Sequence, residues 1–237
     1  MKWIWKILLI LLCIFLIVGS VFVLNGYKLY EQALQNVSLE DKIKAVQEDK
    51  NYVKLSSLPT YYRNAVVSVE DHRFYQHGPI DIIAIARAIV TNVRYGKLLE
   101  GGSTITQQVA KNLYFMTEDN AASRKIAELF MAFDLEKNYD KDTILELYMN
   151  TIYFGDGYYG ISEACHGYLD KEPQDMDLYE ATMMAGIPNA PSVYAPTANL
   201  NLTLSRQKKV VSTMVENGYI SQEEADGILS KQSESQK

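Results

Sequence analysis

The chain has 237 residues, 48% of them hydrophobic and 22% charged, with a formal net charge of −6 at pH 7. That length holds one main domain plus a terminal segment rather than two full domains, and the acidic balance argues against a nucleic-acid-binding protein. Cys13 and Cys165 lie in segments of different character, so no disulfide is expected, and His72, His77 and His166 match no zinc spacing.

Ile7 to Leu24 is an uncharged run of 18 residues. As a helix it would span roughly 27 Å, close to the hydrocarbon thickness of a bilayer. Trp3 and Trp5 precede it, where aromatic side chains favour the headgroup zone. A cleaved signal peptide is the competing reading, with Val18-Gly19-Ser20 as a loose cleavage site. The apolar run continues through Leu24, beyond a short signal core, and this favours an uncleaved single-pass anchor. Lys2 and Lys6 before the span predict a cytoplasmic N-terminus with the rest of the chain outside, and Lys28 after it weakens that asymmetry.

The expected organisation is a stub and anchor over 1–26, a juxtamembrane helix and connector over 27–58, a compact domain over 59–229 and a frayed polar tail over 230–237. Within the domain, Asp81 can cap a helix carrying Ile82, Ile85, Ala86 and Ile89. Gly101-Gly102 interrupts the pattern, and Ser103 to Lys111 resumes it. Arg124 to Glu136 reads as an amphipathic helix with Ile126, Leu129, Phe130 and Phe133 as its buried stripe. Asp140 caps a helix through Asn150 whose inward set is Ile144, Leu145 and Tyr148. A loop rich in glycine and aromatics follows over 153–160. Leu178 to Ile187 is helical until Pro188. Asn201 to Glu216 is helical with Gly218 at its end, and Ser221 with Glu224 form a capping box for a short last helix. Few segments alternate as strands do, so the domain is mainly α.

Five segments carry candidate chemistry. Glu70-Asp71-His72-Arg73-Phe74 follows the apolar stretch Ala65 to Val69, so Glu70 falls where a buried segment meets a polar loop. Partial desolvation there raises a carboxyl pKa towards that of a general base working near neutral pH. The plain alternative is a capped helix end with a solvated acidic pair. Gly101-Gly102-Ser103-Thr104-Ile105-Thr106-Gln107-Gln108-Val109-Ala110-Lys111-Asn112 combines a tight turn, a helix start that favours an anion, and amide and ammonium donors within about one turn. It lacks the Gly-Lys-Ser/Thr ending of a nucleotide-binding loop. Arg124 and Glu128 sit i, i+4 beside Lys125, either a surface ion pair or a second carboxylate with cations for a phosphate. Glu146 and Asn150 share a helix face and read as architecture, as does the loop from Gly186 to Pro196.

In this order the five segments resemble the peptidoglycan glycosyltransferases, glycosyltransferase family 51, over roughly residues 55–225. Glu-Asp-x-x-Phe-x-x-His-x-Gly is nearly met by Glu70 to Gly78; Gly78 follows His77 directly, so the last spacer is missing. Gly-x-Ser-Thr-Ile-Thr-Gln-Gln with a following Lys-Asn is met by Gly101 to Asn112, and Arg-Lys-x-x-Glu and Ile-Leu-Glu-x-Tyr-x-Asn are met downstream. The resemblance implies a lysozyme-like helical domain with a small membrane-proximal lobe, lipid II and a growing lipid-linked glycan chain as substrates, and β-1,4-linked strands as product. It implies Glu70 as general base and Glu128 as second catalytic carboxylate. Asp71, Arg73, Phe74, Ser103, Thr104, Gln107, Gln108, Lys111, Asn112, Arg124 and Lys125 become substrate-binding candidates. A divalent cation, Mg or Mn, near Glu128 is compatible with the pattern but not required by it, and other proteins of cell-wall synthesis or division are compatible partners. Ser205-x-x-Lys208 has no Lys-Thr-Gly or Ser-Asp-Asn companion, and the chain's length leaves no room for a transpeptidase domain; a monofunctional polymerase is expected. The competing functions are a lysozyme-like glycan-cleaving enzyme and an inactive membrane-anchored scaffold.

Overall fold

The computed structural model describes residues 2–97 and 101–234. Helix α1 (Lys2–Asn36) carries the apolar run and continues past it without a break into the domain. Its C-terminal third packs on α6 (Ala121–Asn138), where Tyr27 and Tyr30 stack around Phe130 and the Tyr30 hydroxyl donates to Asp134. Gly26 permits the crossing: a Cβ there would lie 2.4 Å from Ile126 Cβ.

This contact corrects the expected face of α6. Ile126, Phe130 and Phe133 do not form the buried stripe; Phe133 is 52% exposed, and the core is met by Ala127, Met131, Ala132 and Leu135. The helix is apolar on two sides because it serves two neighbours, the core and α1.

Helix α2 (Leu39–Gln47), capped by Ser38, leads to an extended connector pinned from α7 (Lys141–Thr151). Asn150 on α7 exchanges hydrogen bonds with the Val53 backbone at 2.7 and 2.8 Å, and Glu146 accepts from the Leu55 N–H and the Tyr52 hydroxyl. The shared face of Glu146 and Asn150 is thus an architectural clamp. Ile144, Leu145 and Tyr148 point inward as their spacing requires.

The core is built from α3 (Thr60–Glu70), α5 (Ile105–Ala110), α7, α8 (Gly160–Leu169) and α9 (Leu178–Gly186), around Tyr62, Ile105, Leu145, Leu147 and Met184. The aromatic loop resolves into a hairpin, β1 (Tyr153–Gly155) and β2 (Tyr158–Tyr159), closed by Asp156-Gly157. Both turn residues have positive φ, 53° and 86°, the geometry that suits Asp-Gly in a two-residue hairpin.

Helix α4 (Ile82–Tyr95) starts at Asp81, whose carboxylate caps Ala84 N–H, and ends at left-handed Gly96. Its apolar residues are mostly not buried: Ile82 is 76% and Val93 78% exposed, with Ile83, Ile89 and Val90 also out, while only Ala88 is buried. After the short α10 (Pro191–Tyr194), α11 (Pro196–Glu216) kinks at Asn199 and packs on α3 and α9. Helix α12 (Gln222–Glu234) follows the Ser221–Glu224 capping box and runs into the segment expected to be a frayed tail. Gln232 there is buried and donates to Leu204 O and Gln207 Oε1. Residues 235–237 of that tail lie outside the described residues.

Candidate active site

Glu70 is the last residue of α3, and the chain leaves the helix at Asp71 (φ −160°, ψ 73°). The turn is fixed by Asp71, which is buried: Oδ2 accepts from Ile105 N–H at 3.1 Å and Oδ1 pairs with His77 Nε2 at 2.7 Å. One carboxylate therefore satisfies an orphan N–H at the start of α5 and ties α3 to α5. With a partner on each oxygen, Asp71 shapes the turn, and it also lines one of two cavities beside Glu70.

Glu70 itself is held on two sides. Gln108 Nε2 on α5 donates to Oε2 at 3.0 Å, and Arg206 Nη2 on α11 lies 3.7 Å from Oε1. Burial pushes the Glu70 carboxyl up; the Gln108 hydrogen bond and the Arg206 charge pull it down, Asp71 pushes it up again, and the net position is above an ordinary glutamate. The carboxylate forms part of the wall of two cavities. The first, of about 380 Å³, is also lined by Ser103, Gln107, Gln108, Lys111, Asn112, Arg124, Lys125 and Glu128. The second, of about 360 Å³, is lined by His72, Arg87, Arg206 and Lys209 among others.

In the first cavity Glu128 is buried on α6, with Lys125 Nζ 2.7 Å from Oε2 and Arg124 Nε 3.5 Å from Oε1. Lys125 also donates to Ser103 Oγ at 2.8 Å, which ties the glycine-rich loop to α6. Thr104 and Gln107 form a full capping box at the start of α5, and both also bond to Pro79 O. After Ala110 the helix widens into a π turn, Lys111–Phe115, and Lys111 and Asn112 at its start face the cavity. Asn112 Nδ2 is buried with no hydrogen-bond partner among the described residues, a donor of the kind that waits for an acceptor.

Two expected binding residues stand elsewhere. Arg73 pairs with Asp81, Nε to Oδ2 at 3.1 Å, and lines neither cavity. Burial pushes Asp81 up, but its bonds to Arg73 and Ala84 N–H outweigh this and hold it below the usual range. Phe74 is fully buried in the core with the Lys141 ammonium 4.4 Å from its ring centre. Both residues keep the Glu70 loop in shape. Conversely, Arg206, Lys209 and Arg87 line the second cavity although no motif marks them, and Asn189, in the loop that reads as architecture, lines both. Arg206, Lys209 and Thr213 on α11 and Asn217 at its C-cap recur at spacings of three and four, a polar stripe beside the buried Leu204, Val210, Val211 and Met214. Reading that helix only through Ser205-x-x-Lys208 hid the stripe. His72, beside Glu70, is pushed below an ordinary imidazole by burial and then by Arg87 and Arg73.

The donors do not fit a divalent cation. Each Glu128 oxygen already faces a cation. Asp71, His77 and Asp81 lie close together, yet Ile105 N–H, Arg73 and Ala84 N–H already use the carboxylates.

A largely buried carboxylate thus sits between two cavities lined with cationic side chains. The chain belongs to the Transglycosylase family, which matches residues 37–215. It is 42% identical over 178 residues to penicillin-binding protein 1F of Bacillus subtilis (strain 168), covering 75% of this chain and 25% of that protein. To penicillin-binding protein 1A of Aquifex aeolicus (strain VF5) it is 41% identical over 180 residues, covering 76% and 25%. The crystal structure of penicillin-binding protein 1A from Haemophilus influenzae is similar at 24% identity and a TM-score of 0.42, over 75% of this chain and 17% of that one. The chain thus spans about a quarter of the length of the curated relatives it matches.

Proposed function

We propose that this domain polymerises lipid II into β-1,4-linked glycan strands at the membrane surface. The observation that carries the reading is Glu70, a largely buried carboxylate on the boundary between two cavities that are each lined by cationic side chains. Two lipid-linked pyrophosphate substrates need such a pair of sites, with the base between them.

Glu70 accepts the proton of the acceptor sugar's 4-hydroxyl as that oxygen bonds to C1 of the growing chain. The bond from C1 to the undecaprenyl pyrophosphate oxygen breaks, and the leaving group departs with the electron pair. Attack opposite an α-linked leaving group gives the β product. Pyrophosphate needs charge stabilisation more than a proton, and Lys111, Arg124 and Lys125 supply it on the Glu128 side. Glu128 orients those cations through its two ion pairs. Gln108 fixes the base, and Ser103 and Asn112 offer polar contacts to sugar or phosphate.

Membrane placement is supported by α1, which is long and apolar enough to cross a bilayer and runs unbroken into residues packed on α6. The exposed apolar side of α4 suits contact with the same bilayer. The lysines before the span support a cytoplasmic N-terminus with the domain outside, where other cell-wall proteins could meet it.

The test is turnover of labelled lipid II in liposomes by the purified full chain beside Glu70→Gln. Long strands from the wild type and a loss of about 10³-fold in the variant are expected. A wild type that shortens preformed strands and makes none would replace this reading with the glycan-cleaving one.

A further inference from the structure

The two oxygens of Glu70 are treated differently. Oε2 is tied to Gln108 Nε2 at 3.0 Å, whereas Oε1 is buried and has no hydrogen-bond partner among the described residues. The nearest charge to Oε1 is Arg206 Nη2 at 3.7 Å, too far for a hydrogen bond yet well within range of an ion pair. Arg206 is held there by its own contacts. Its Nε lies 3.4 Å from Gly186 O, and its guanidinium carbon sits 5.8 Å from the Tyr194 ring centre. Gly186 gives it room, since a Cβ there would come 3.0 Å from Arg206 Cγ.

We propose that Arg206 is a positioning residue for Glu70: it keeps the carboxylate ionised before substrate arrives and leaves Oε1 bare as the oxygen that takes the proton. A guanidinium suits this task because it remains charged at any pH the enzyme meets. Were it hydrogen-bonded to Oε1, it would take up one of that oxygen's two acceptor sites and crowd the approach of the sugar hydroxyl. This inference rests on Glu70 being the base.

The remaining groups around Glu70 leave Arg206 as the decisive charge. Asp71, next in the chain, opposes ionisation, and Gln108 on α5 favours it without carrying charge. Tyr148 on α7 is buried behind Glu70, and burial, with Glu70 next, pushes its hydroxyl well up, so it stays neutral. His72 and Arg87 face the same cavity from the loop and from α4. With Arg206 neutralised, only the Gln108 hydrogen bond still opposes burial and Asp71, so Glu70 takes up its proton at a higher pH still, and a base that must be deprotonated fails over a wider acid range.

The experiment is the pH profile of kcat/KM for lipid II polymerisation by the full chain in liposomes, for wild type, Arg206→Gln, Arg206→Lys and Glu70→Gln. The acid limb of Arg206→Gln is expected to move to higher pH, so that its deficit is at least threefold larger at the acid end of the range than at the alkaline plateau; Arg206→Lys should return the limb towards wild type. If Arg206→Gln does not fold, as judged by its thermal melt, Arg206→Met keeps the aliphatic stem beside Gly186 and is read in the same way. An equal loss at every pH, with the limb unmoved, would mean that Arg206 acts only on substrate and would overturn the proposal. A Glu70→Gln protein that retains turnover would instead remove the base reading itself.

Discussion

Two carboxylates face the first cavity, and the fold treats them in opposite ways. Glu128 comes from the middle of a helix, buried, with Lys125 and Arg124 one turn away on the same helix. Its charge is matched locally, by residues that any helix would bring together at i−3 and i−4. Glu70 comes from a helix end, and its partners arrive from elsewhere in the chain: an amide from α5 and a guanidinium from α11 that stops short of hydrogen-bonding distance. Its charge is under-compensated and its carboxyl is pushed up. On the proposed function, identical side chains serve as a proton acceptor in one place and an organiser of cations in the other, because environment rather than residue type sets the role.

The difference can be broken at Glu128. Glu128→Gln keeps the shape but frees Lys125 and Arg124 from their counter-charge, and polymerisation of lipid II should fall by about 10²-fold, short of the loss at Glu70. Equal losses at both positions would mean that the two carboxylates act as one unit. The same variant should be less stable, since two charge-assisted contacts go. A loss of about 1.5 kcal/mol, or a Tm drop of roughly 3–6 °C, is expected by calorimetry.

How legible this site was in the sequence follows the same division. The Glu128 cluster is local, so Arg124-Lys125-x-x-Glu128 could be read directly as a geometric unit. Thr104 and Gln107 were visible as a polar helix start for the same reason. Glu70 stands out after an apolar run, but only the ordered set of motifs favours it over a solvated acidic pair, and its partner Arg206 lies 136 positions on with no spacing rule to link them. Arg73 and Phe74 look like neighbours of the base in sequence, yet the turn at Asp71 sends one to Asp81 and the other into the core. Helix positions were mostly legible because caps and periodicity are local signals. The faces of α6 and α4 were not, because an apolar stripe says that something covers it and leaves open whether that is the core, α1 or a bilayer.

The smallest expected effect is the sharpest contrast, because its sign is opposite. Folding carries Glu70 to a carboxyl pKa above its unfolded value, so the folded chain binds the proton more tightly there. Stability from this group is full at acid pH, where Glu70 is protonated in both states, and it falls as pH rises from the unfolded pKa through the folded one. At neutral pH the ionised carboxylate therefore costs stability that a neutral glutamine does not. Glu70→Gln should melt above wild type at neutral pH, and the gap should close as pH is lowered through the carboxylate range. Melting curves of both proteins across that range decide it: a Glu70→Gln variant that melts below wild type at neutral pH would show that the ion pair with Arg206 outweighs burial, and that Glu70, like Glu128, is a charge the fold has fully answered.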